Sequence, residues 1–380
     1  MKKTNLANHL RTLIALSKQN TGKIRMQIRL PTRHFFIFEK FSVDRNMSRK
    51  NNMRSIALGI ILGGFSAALI FSAASKDAGE DTTHLEKFHQ DYRIYSLPTP
   101  GKVSFANEQV PLQLIDVREK LDRELLVNTY WQSNAILLHK RANRWFPVIE
   151  PILKSKGVPE DFKYLSLIES GFENVVSPAG ATGFWQFLKG TAKEYGLEIN
   201  NEVDERYSVK RSTEAACDYL IEAYKKFGSW TLVAAAYNMG QNGLSRQLKR
   251  QHVNNYYDLL LNEETGRYVY RILALKVILN NSTNYGFHIR SKDLYPSYKT
   301  FTVAVDSSVA DWGLFANEFG INYKILKTLN PWLRDSNLTN PKQKVYQIDL
   351  PIPNELSLQP YQQGEYDENR IYFFDKNSAN

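Results

Sequence analysis

From Leu112 to Leu153 apolar residues recur every third or fourth position, most clearly at Leu114, Val117, Leu121 and Leu125, and "WQSNAILLHKRANRWFPVIEPIL" carries the pattern on. That period predicts a helical run leading into a further domain. "KGVPEDFKYLSLIESGF" predicts the next helix, opened by Gly157, with Pro159 early, Glu160 and Asp161 in the first turn and Gly171 as its end. Phe162, Leu165 and the acid Glu169 fall on one side of it. "SVKRSTEAACDYLIEAYKKFG" sets Ala216, Leu220, Ala223 and Phe227 on one face and stops at Gly228. "SWTLVAAAYNMGQNG", residues 229–243, is an Ala-rich helix ending in Tyr237, Asn238 and Gly240, and "NEETGRYVYRILALKVILN" is another, with Glu264 and Tyr268 one turn apart. Behind these the period changes. "KTFTVAV" and "KVYQIDLPI" alternate like strands around two short helices, giving a βααβ order over 298–352. The fold class expected is mainly α, with a small C-terminal α+β unit.

The flanks read differently. Residues 76–110 show little periodicity and are expected to be a linker or wrapping segment, and the stretch 353–380 is a polar tail with a few aromatics. "IALGIILGGFSAALIFSAAS", residues 56–75, has no charge. A buried core helix is one reading of it. A basic run before it and the small residues Ser72-Ala73-Ala74 within it are the layout of a secretory signal cleaved after Ala74. Left uncut, it is long enough to span a bilayer. In both cases the cations stay cytoplasmic and the rest is exported. A start at Met47 would give a leader of ordinary length, so the first 46 residues are expected to be an upstream extension without a folded role.

Composition matters mainly through where the charge lies. The net charge is +10, yet residues 1–55 hold 13 of the 49 Lys and Arg against only Glu39 and Asp44, leaving 36 basic and 37 acidic residues elsewhere. The body of the chain has no surplus of cations for phosphate, so nucleic acid is set aside as a partner. At 43% hydrophobic and 23% charged residues the chain is an ordinary globular one. The single cysteine, Cys217, excludes a disulfide framework and a Cys-type zinc site, and it is expected to be simply buried. The seven histidines have no ligand spacing, so neither metal nor cofactor is expected.

Glu169 is the position that asks for chemistry. It stands in an apolar helical run next to the turn at Ser170-Gly171, where the negative helix end and apolar neighbours both disfavour its charge. Such an acid can hold a proton near neutral pH and give it away. Taken alone, it has a structural explanation as good as the catalytic one. "SPAGATGFWQF", residues 177–187, adds a Gly-rich segment whose backbone can come close to something, with Trp185 offering a stacking surface and Gln186 an amide.

In order along the chain, Glu169-Ser170, Ser177 through Gln186 with the Gly183-Phe184-Trp185-Gln186 core, Ala236-Tyr237-Asn238, and Glu264-Thr265 with Tyr268 resemble the catalytic domain of the lytic transglycosylases. This family has goose-type-lysozyme-like (SLT) folds and cuts peptidoglycan, and the likeness is nearest to its membrane-bound type D branch. It covers roughly residues 145 to 285. Phe184, where the family has Leu, Ile or Met, and Gly266-Arg267, where Arg more often follows the Thr directly, depart from the pattern. The resemblance implies that Glu169 is acid and then base, cleaving the MurNAc-β-1,4-GlcNAc bond with formation of 1,6-anhydro-MurNAc. It implies that Tyr237 sits near the acid or the N-acetyl group, that Ser177, Gln186 and Asn238 hold the sugar, and that Ser170, Gly183, Trp185, Glu264 and Tyr268 support the cleft.

A hydrolytic muramidase would use the same glutamate, but glycosidases of the usual kind need a second carboxylate, and Glu173 lies at a position the family does not use. A non-catalytic peptidoglycan-binding protein would have lost the acid or the Tyr-Asn pair, and this chain has both. The βααβ unit resembles a LysM peptidoglycan-binding module, including "NPWL" after the second helix, although "DSSVADW" replaces the usual Gly-Asp-(Thr/Ser)-Leu turn. A structural cap on the enzyme is the other reading of that unit. The expected order is therefore a basic leader (1–55), signal or anchor (56–75), linker (76–110), helical lead-in (111–150), lytic transglycosylase domain (151–290), LysM-like module (298–352) and tail (353–380). Its partners would be peptidoglycan glycan strands and, if the apolar segment stays uncut, the membrane.

Overall fold

The structure, a computed structural model, describes residues 82–88 and 94–352. The expected basic leader, the apolar segment 56–75 and the polar tail from 353 lie outside the described residues. Contacts divide the chain into two compact units, with residues 97–352 in one and a short helix at 82–88 in the other. No helix among the described residues is long and apolar enough to cross a membrane.

The stretch expected to link or wrap does wrap from residue 97 onward. It forms a hairpin of β1 (Ser104–Phe105) and β2 (Glu108–Gln109), which buries Val103, Phe105 and Val110 in the main core. Helix α1 (Ile115–Tyr130) buries Val117, Leu121 and Leu125, while Leu114 just before it is exposed. The periodic run read as continuous to Leu153 is broken at Trp131, whose backbone bends before α2 (Gln132–Lys156) begins. Pro147 and Pro151 each remove a backbone donor inside α2, which nevertheless runs on to a left-handed Gly157.

Helix α3 (Phe162–Ser170) starts later than the sequence suggests. Pro159, Glu160 and Asp161 form a turn ahead of it, in which Phe162 N–H donates to the Pro159 carbonyl, so the two acids are outside the first turn. Asp161 instead reaches sideways, accepting from the Ala106 amide at 2.7 Å and from Lys276 Nζ at 2.7 Å. Gly171, at φ 59°, ends the helix as expected.

After α4 (Lys189–Glu194) come α5 (Val209–Phe227), α6 (Trp230–Met239), α7 (Gln241–Gln251) and α8 (Glu263–Asn280). The turn at Gly240 separates α6 from α7. Helix α8 is apolar on nearly every side from Tyr268 to Leu279 and is buried accordingly, packed against α1, α3 and α6. It is the centre around which the other helices are laid.

The C-terminal unit has the expected βααβ order: β3 (Thr300–Val305), α9 (Trp312–Glu318), α10 (Tyr323–Leu329) and β4 (Tyr346–Pro351). The strands are antiparallel, and the pairs Val303–Ile348 and Val305–Tyr346 point into a core with Trp312 and Leu326. The fold is mainly α with a small α+β unit, as the periodicity predicts.

One acid ties the hairpin to the helices. The Glu108 carboxylate accepts from the Trp230 and Thr231 amides at 2.6 and 2.9 Å and from the Ser229 and Thr231 hydroxyls, so it caps the N-terminus of α6 from a distant segment. Glu108→Ala is expected to lower unfolding stability by about 2–3 kcal/mol, the scale of a charge-assisted cap, as read by urea denaturation. The surface change Glu119→Ala on α1 should stay within about 0.5 kcal/mol of the parent.

Candidate active site

Glu169 is the penultimate residue of α3, so helix geometry delivers its carboxylate beside the Gly171 turn. The Tyr268 hydroxyl of α8 donates to Glu169 Oε1. Burial raises the Glu169 pKa above the usual carboxylate range and the nearby Glu264 pushes the same way, against the Tyr268 hydrogen bond and the Arg271 charge. Arg271, which shares a side of α8 with Tyr268, is held by the Ile168 carbonyl at 3.4 Å. Burial first, and the Glu169 charge second, keep the Tyr237 and Tyr268 hydroxyls well above the ordinary tyrosine pKa, so both remain donors.

The segment 177–187 is pinned over this acid by side chains that satisfy its backbone. Ser166 and Ser170 of α3 donate to the Phe184 carbonyl at 3.1 and 3.0 Å, and Tyr237 of α6 donates to the Trp185 carbonyl at 2.6 Å. Gly183 sits at φ 79°, where a Cβ would come within 2.0 Å of the Arg206 carbonyl oxygen. The close approach that the glycines foretell is thus to this chain's own backbone.

Trp185 corrects the expectation of a stacking surface. It is fully buried, and its Nε1 donates to Thr213 Oγ1 at 2.8 Å, so it anchors the segment to α5. The Gln186 amide nitrogen donates to the Gly183 and Val175 carbonyls at 2.8 and 3.2 Å. Ser177 closes the turn below it, with Oγ accepting from the Ala181 amide at 3.0 Å. Asn238 bridges α6 to the start of α8, donating to Glu264 Oε1 at 3.1 Å and accepting from Thr265 Oγ1 at 2.8 Å. The structure therefore brings Glu169, Ser170, Gly183, Trp185, Tyr237 and Tyr268 together around one segment, with Asn238 and Glu264 on its α8 side and Ser177 and Gln186 within its turns.

Ile168 and Ser170, which flank Glu169, line a cleft of about 720 Å³ together with Glu264 and Arg271 of α8 and Trp131 and Arg141 from the lead-in. Glu173, the other acid of the region, is exposed and paired with Arg141 at 2.6 Å. No group of three or more potential metal ligands occurs among the described residues. Cys217 is buried, and burial pushes its thiol up to about 12, which leaves it unreactive.

Sequence reasoning missed Arg271, Arg206 and Asp204. Arg271 had a signal, since 264, 268 and 271 share one helix face. Arg206 and Asp204 lie in an irregular stretch between α4 and α5, where no periodicity marks them.

Two family models match the chain. The transglycosylase SLT domain model matches residues 146–259, and the soluble lytic transglycosylase C-terminal LysM-like domain model matches residues 301–354. The chain carries a transglycosylase SLT domain. It is homologous to the membrane-bound lytic murein transglycosylase D of Escherichia coli (strain K12), with 30% identity over 228 residues, which are 58% of this chain and 49% of that protein. A putative tributyltin chloride resistance protein of Alteromonas sp. (strain M-1) is 29% identical over 125 residues, 32% of this chain and 58% of that one. The chain thus spans about half the length of the curated relatives it matches. Among solved structures, the lytic transglycosylase Slt of Pseudomonas aeruginosa, an inactive mutant, is similar at TM-score 0.31 and 21% identity over 40% of this chain and 26% of that one. The 70 kDa soluble lytic transglycosylase of Escherichia coli gives TM-score 0.31 and 19% identity over 40% and 27%.

The two departures from the expected pattern, Phe184 inside the matched residues 146–259 and Arg267 beyond them, have visible partners. Phe184 stacks on Phe172 at 5.4 Å and meets Trp145 edge-on at 5.0 Å, so an aromatic cluster fills the space. Arg267 pairs with Glu124 of α1 at 2.7 Å, a carboxylate that is otherwise buried, and so docks the lead-in helix onto α8.

A raised carboxylate pKa means that folding favours the protonated form of Glu169. Stability is then fully present at acid pH and is lost as pH rises through the folded-state pKa. Glu169→Gln should therefore melt a few degrees above the parent at pH 8, and the gain should vanish toward pH 4, as read by differential scanning calorimetry across pH.

Proposed function

We propose that the protein is a peptidoglycan lytic transglycosylase that cleaves the MurNAc-β-1,4-GlcNAc bond and leaves 1,6-anhydro-MurNAc. The observation that carries this is the Glu169 carboxyl group, held by Tyr268 and with its pKa raised by burial, beside Tyr237 and a cleft able to take a glycan. The SLT match and the homologous murein transglycosylase support the same reading.

In the proposed reaction Glu169 gives its proton to the glycosidic oxygen as the bond from that oxygen to C1 of MurNAc breaks. The N-acetyl oxygen supports the cationic C1, and the tyrosines stay protonated donors. The carboxylate so formed takes the proton of the C6 hydroxyl while O6 bonds to C1, which restores the acid. No water enters, and one carboxylate serves for both transfers. A conventional hydrolase would need a second carboxylate free to act, whereas Glu264 binds Asn238 and Glu173 binds Arg141.

Ser177, Gln186 and Asn238 are proposed to face the sugar through the groups their framework bonds leave over. Residues 151–290 would form the catalytic domain behind a lead-in at 111–150, with 298–352 as a LysM-like module. The protein would act in the cell envelope on the periplasmic side, exported or anchored by residues 56–75.

Residues 76–380 of parent and Glu169→Gln, incubated with purified peptidoglycan, should differ by about 10²–10⁴-fold in release of soluble fragments. Mass spectrometry of the parent's products should find anhydro-MurNAc ends. Reducing MurNAc ends would make the protein a hydrolase, and sedimentation with the wall without release would make it a binding protein. Because the Tyr268 bond lowers the Glu169 pKa, Tyr268→Phe should move the alkaline fall of kcat to higher pH.

A further inference from the structure

We infer that the C-terminal unit positions the segment 177–187 of the active site, through residues 198–207 and with Arg206 as the positioning residue. This rests on the proposed glycan-cleaving site for its consequence on rate, although the contacts themselves do not.

Residues 198–207 lie between α4 and α5, yet they are built into the C-terminal unit. Val203 is fully buried within that unit's core, beside Val303, Trp312 and Leu333, and pairs with Leu333 across an isolated bridge. The Asp204 amide donates to the Trp332 carbonyl at 2.9 Å, and the Arg334 amide donates to the Glu202 carbonyl at 2.7 Å. The Glu202 carboxylate accepts from the Thr339 amide at 2.7 Å, the Thr339 hydroxyl at 2.9 Å and the Asn337 amide at 3.1 Å. Farther along, the Tyr346 hydroxyl donates to Glu198 at 3.1 Å, and the Arg334 guanidinium lies 4.0 Å over the Tyr207 ring. The turn after α10, which joins the last helix to the last strand of the LysM-like unit, is therefore occupied by residues 198–207, which act as a strap.

The other end of the strap grips the active-site segment. Arg206 is buried, and its Nε and Nη2 donate to the two Asp204 carboxylate oxygens at 3.0 and 2.7 Å. That fork aims Nη1 at the Gly180 and Phe187 carbonyls, at 3.1 and 3.2 Å, on either side of Gly183. The Arg206 carbonyl meanwhile sits where a side chain on residue 183 would be. The carbonyls of Phe184 and Trp185, between those two grips, are bound by Ser170 and Tyr237 next to Glu169. A displacement of the C-terminal unit is thus carried by the bidentate Asp204–Arg206 pair to the residues that fix the acid's neighbours. A lysine at 206 would keep the charge and lose the fork.

A second contact supplies the control. Lys210 of α5 pairs with Asp349 of β4 at 2.8 Å, joining the same two parts of the fold without touching the strap. The test compares amide hydrogen exchange and peptidoglycan kinetics for the full chain, Glu202→Ala, Arg206→Lys and Lys210→Ala, well below the melting temperature of each. Glu202→Ala and Arg206→Lys should speed exchange over 180–187 by about tenfold, the factor that one lost charge-assisted hydrogen bond represents. Exchange over 268–278 of α8 should not change, and kcat should fall by a similar factor at unaltered KM. Lys210→Ala should leave both loop exchange and kcat at the parent's values. Unchanged loop exchange in Glu202→Ala, or an equal rise in Lys210→Ala, overturns the inference. If the parent releases no fragments from peptidoglycan, the proposed activity fails while the exchange comparison still decides whether the strap holds the loop.

Discussion

A carboxyl group placed near the negative end of a helix and largely buried has to be held, and the Tyr268 hydroxyl holds that of Glu169. Most of the helical layout follows from keeping those two residues in register. Tyr268 is buried in the middle of α8, so α8 must be sheathed on several sides, which α1, α3 and α6 do. Arg267, next to Tyr268, docks α1 through Glu124, and Lys276, two turns on, reaches Asp161 ahead of α3. The helix that carries the acid and the helix that restrains it are thus tied at both ends.

The polar residues around the acid are mostly occupied in holding backbone. Four carbonyls of the segment over Glu169, those of Gly180, Phe184, Trp185 and Phe187, accept from Arg206, Ser170 with Ser166, Tyr237 and Arg206 respectively. Gly180 and Phe187 also accept from Thr182, but without the serines and Tyr237 the Phe184 and Trp185 carbonyls would lose their partners, at about 1–3 kcal/mol each. Residues that look like ligands in the sequence are therefore first the framework of the site. Under the proposed function, what they offer a sugar is the remainder of their bonding capacity, as with Asn238 between Glu264 and Thr265.

The helices were legible because their apolar period is long and their stops are glycines, as at Gly171 and Gly228. The βααβ order was legible from the change of period. Three features were not. The break at Trp131 falls inside an unbroken apolar pattern, and only its backbone angles reveal it. The first turn of α3 was misplaced because Pro159-Glu160-Asp161 is equally good chemistry for a preceding turn, and Asp161 was needed for Ala106 and Lys276. Trp185 was read as exposed because a tryptophan beside glycines suits either a platform or an anchor, and only Thr213, 28 residues away, decides it. The site was legible as a set of residues and not as a division of labour, since hydrogen bonds between distant segments leave no local pattern. Arg206 is the extreme case. Its side-chain partners Gly180, Phe187 and Asp204 all precede it, the farthest by 26 residues, and nothing periodic marks it.

In the proposed reaction Glu169 would change state twice, and the balance at this residue suits that. An acid surrounded only by burial and Glu264 would hold its proton too well to exist as the carboxylate that the second transfer needs. One surrounded only by Tyr268 and Arg271 would lose the proton before the first. The site sets these influences against each other, with burial the largest, so the acid form is favoured beyond that of an ordinary carboxyl while the charged form keeps a donor and a cation in place. Because that donor is a tyrosine whose own pKa burial holds high, it can stabilise the carboxylate without surrendering its proton. The same geometry argues against recruiting Glu264 as a second catalytic carboxylate. One of its oxygens is bound to Asn238, and its charge discourages ionisation of Glu169, which raises the pKa of the acid proposed to give the proton away.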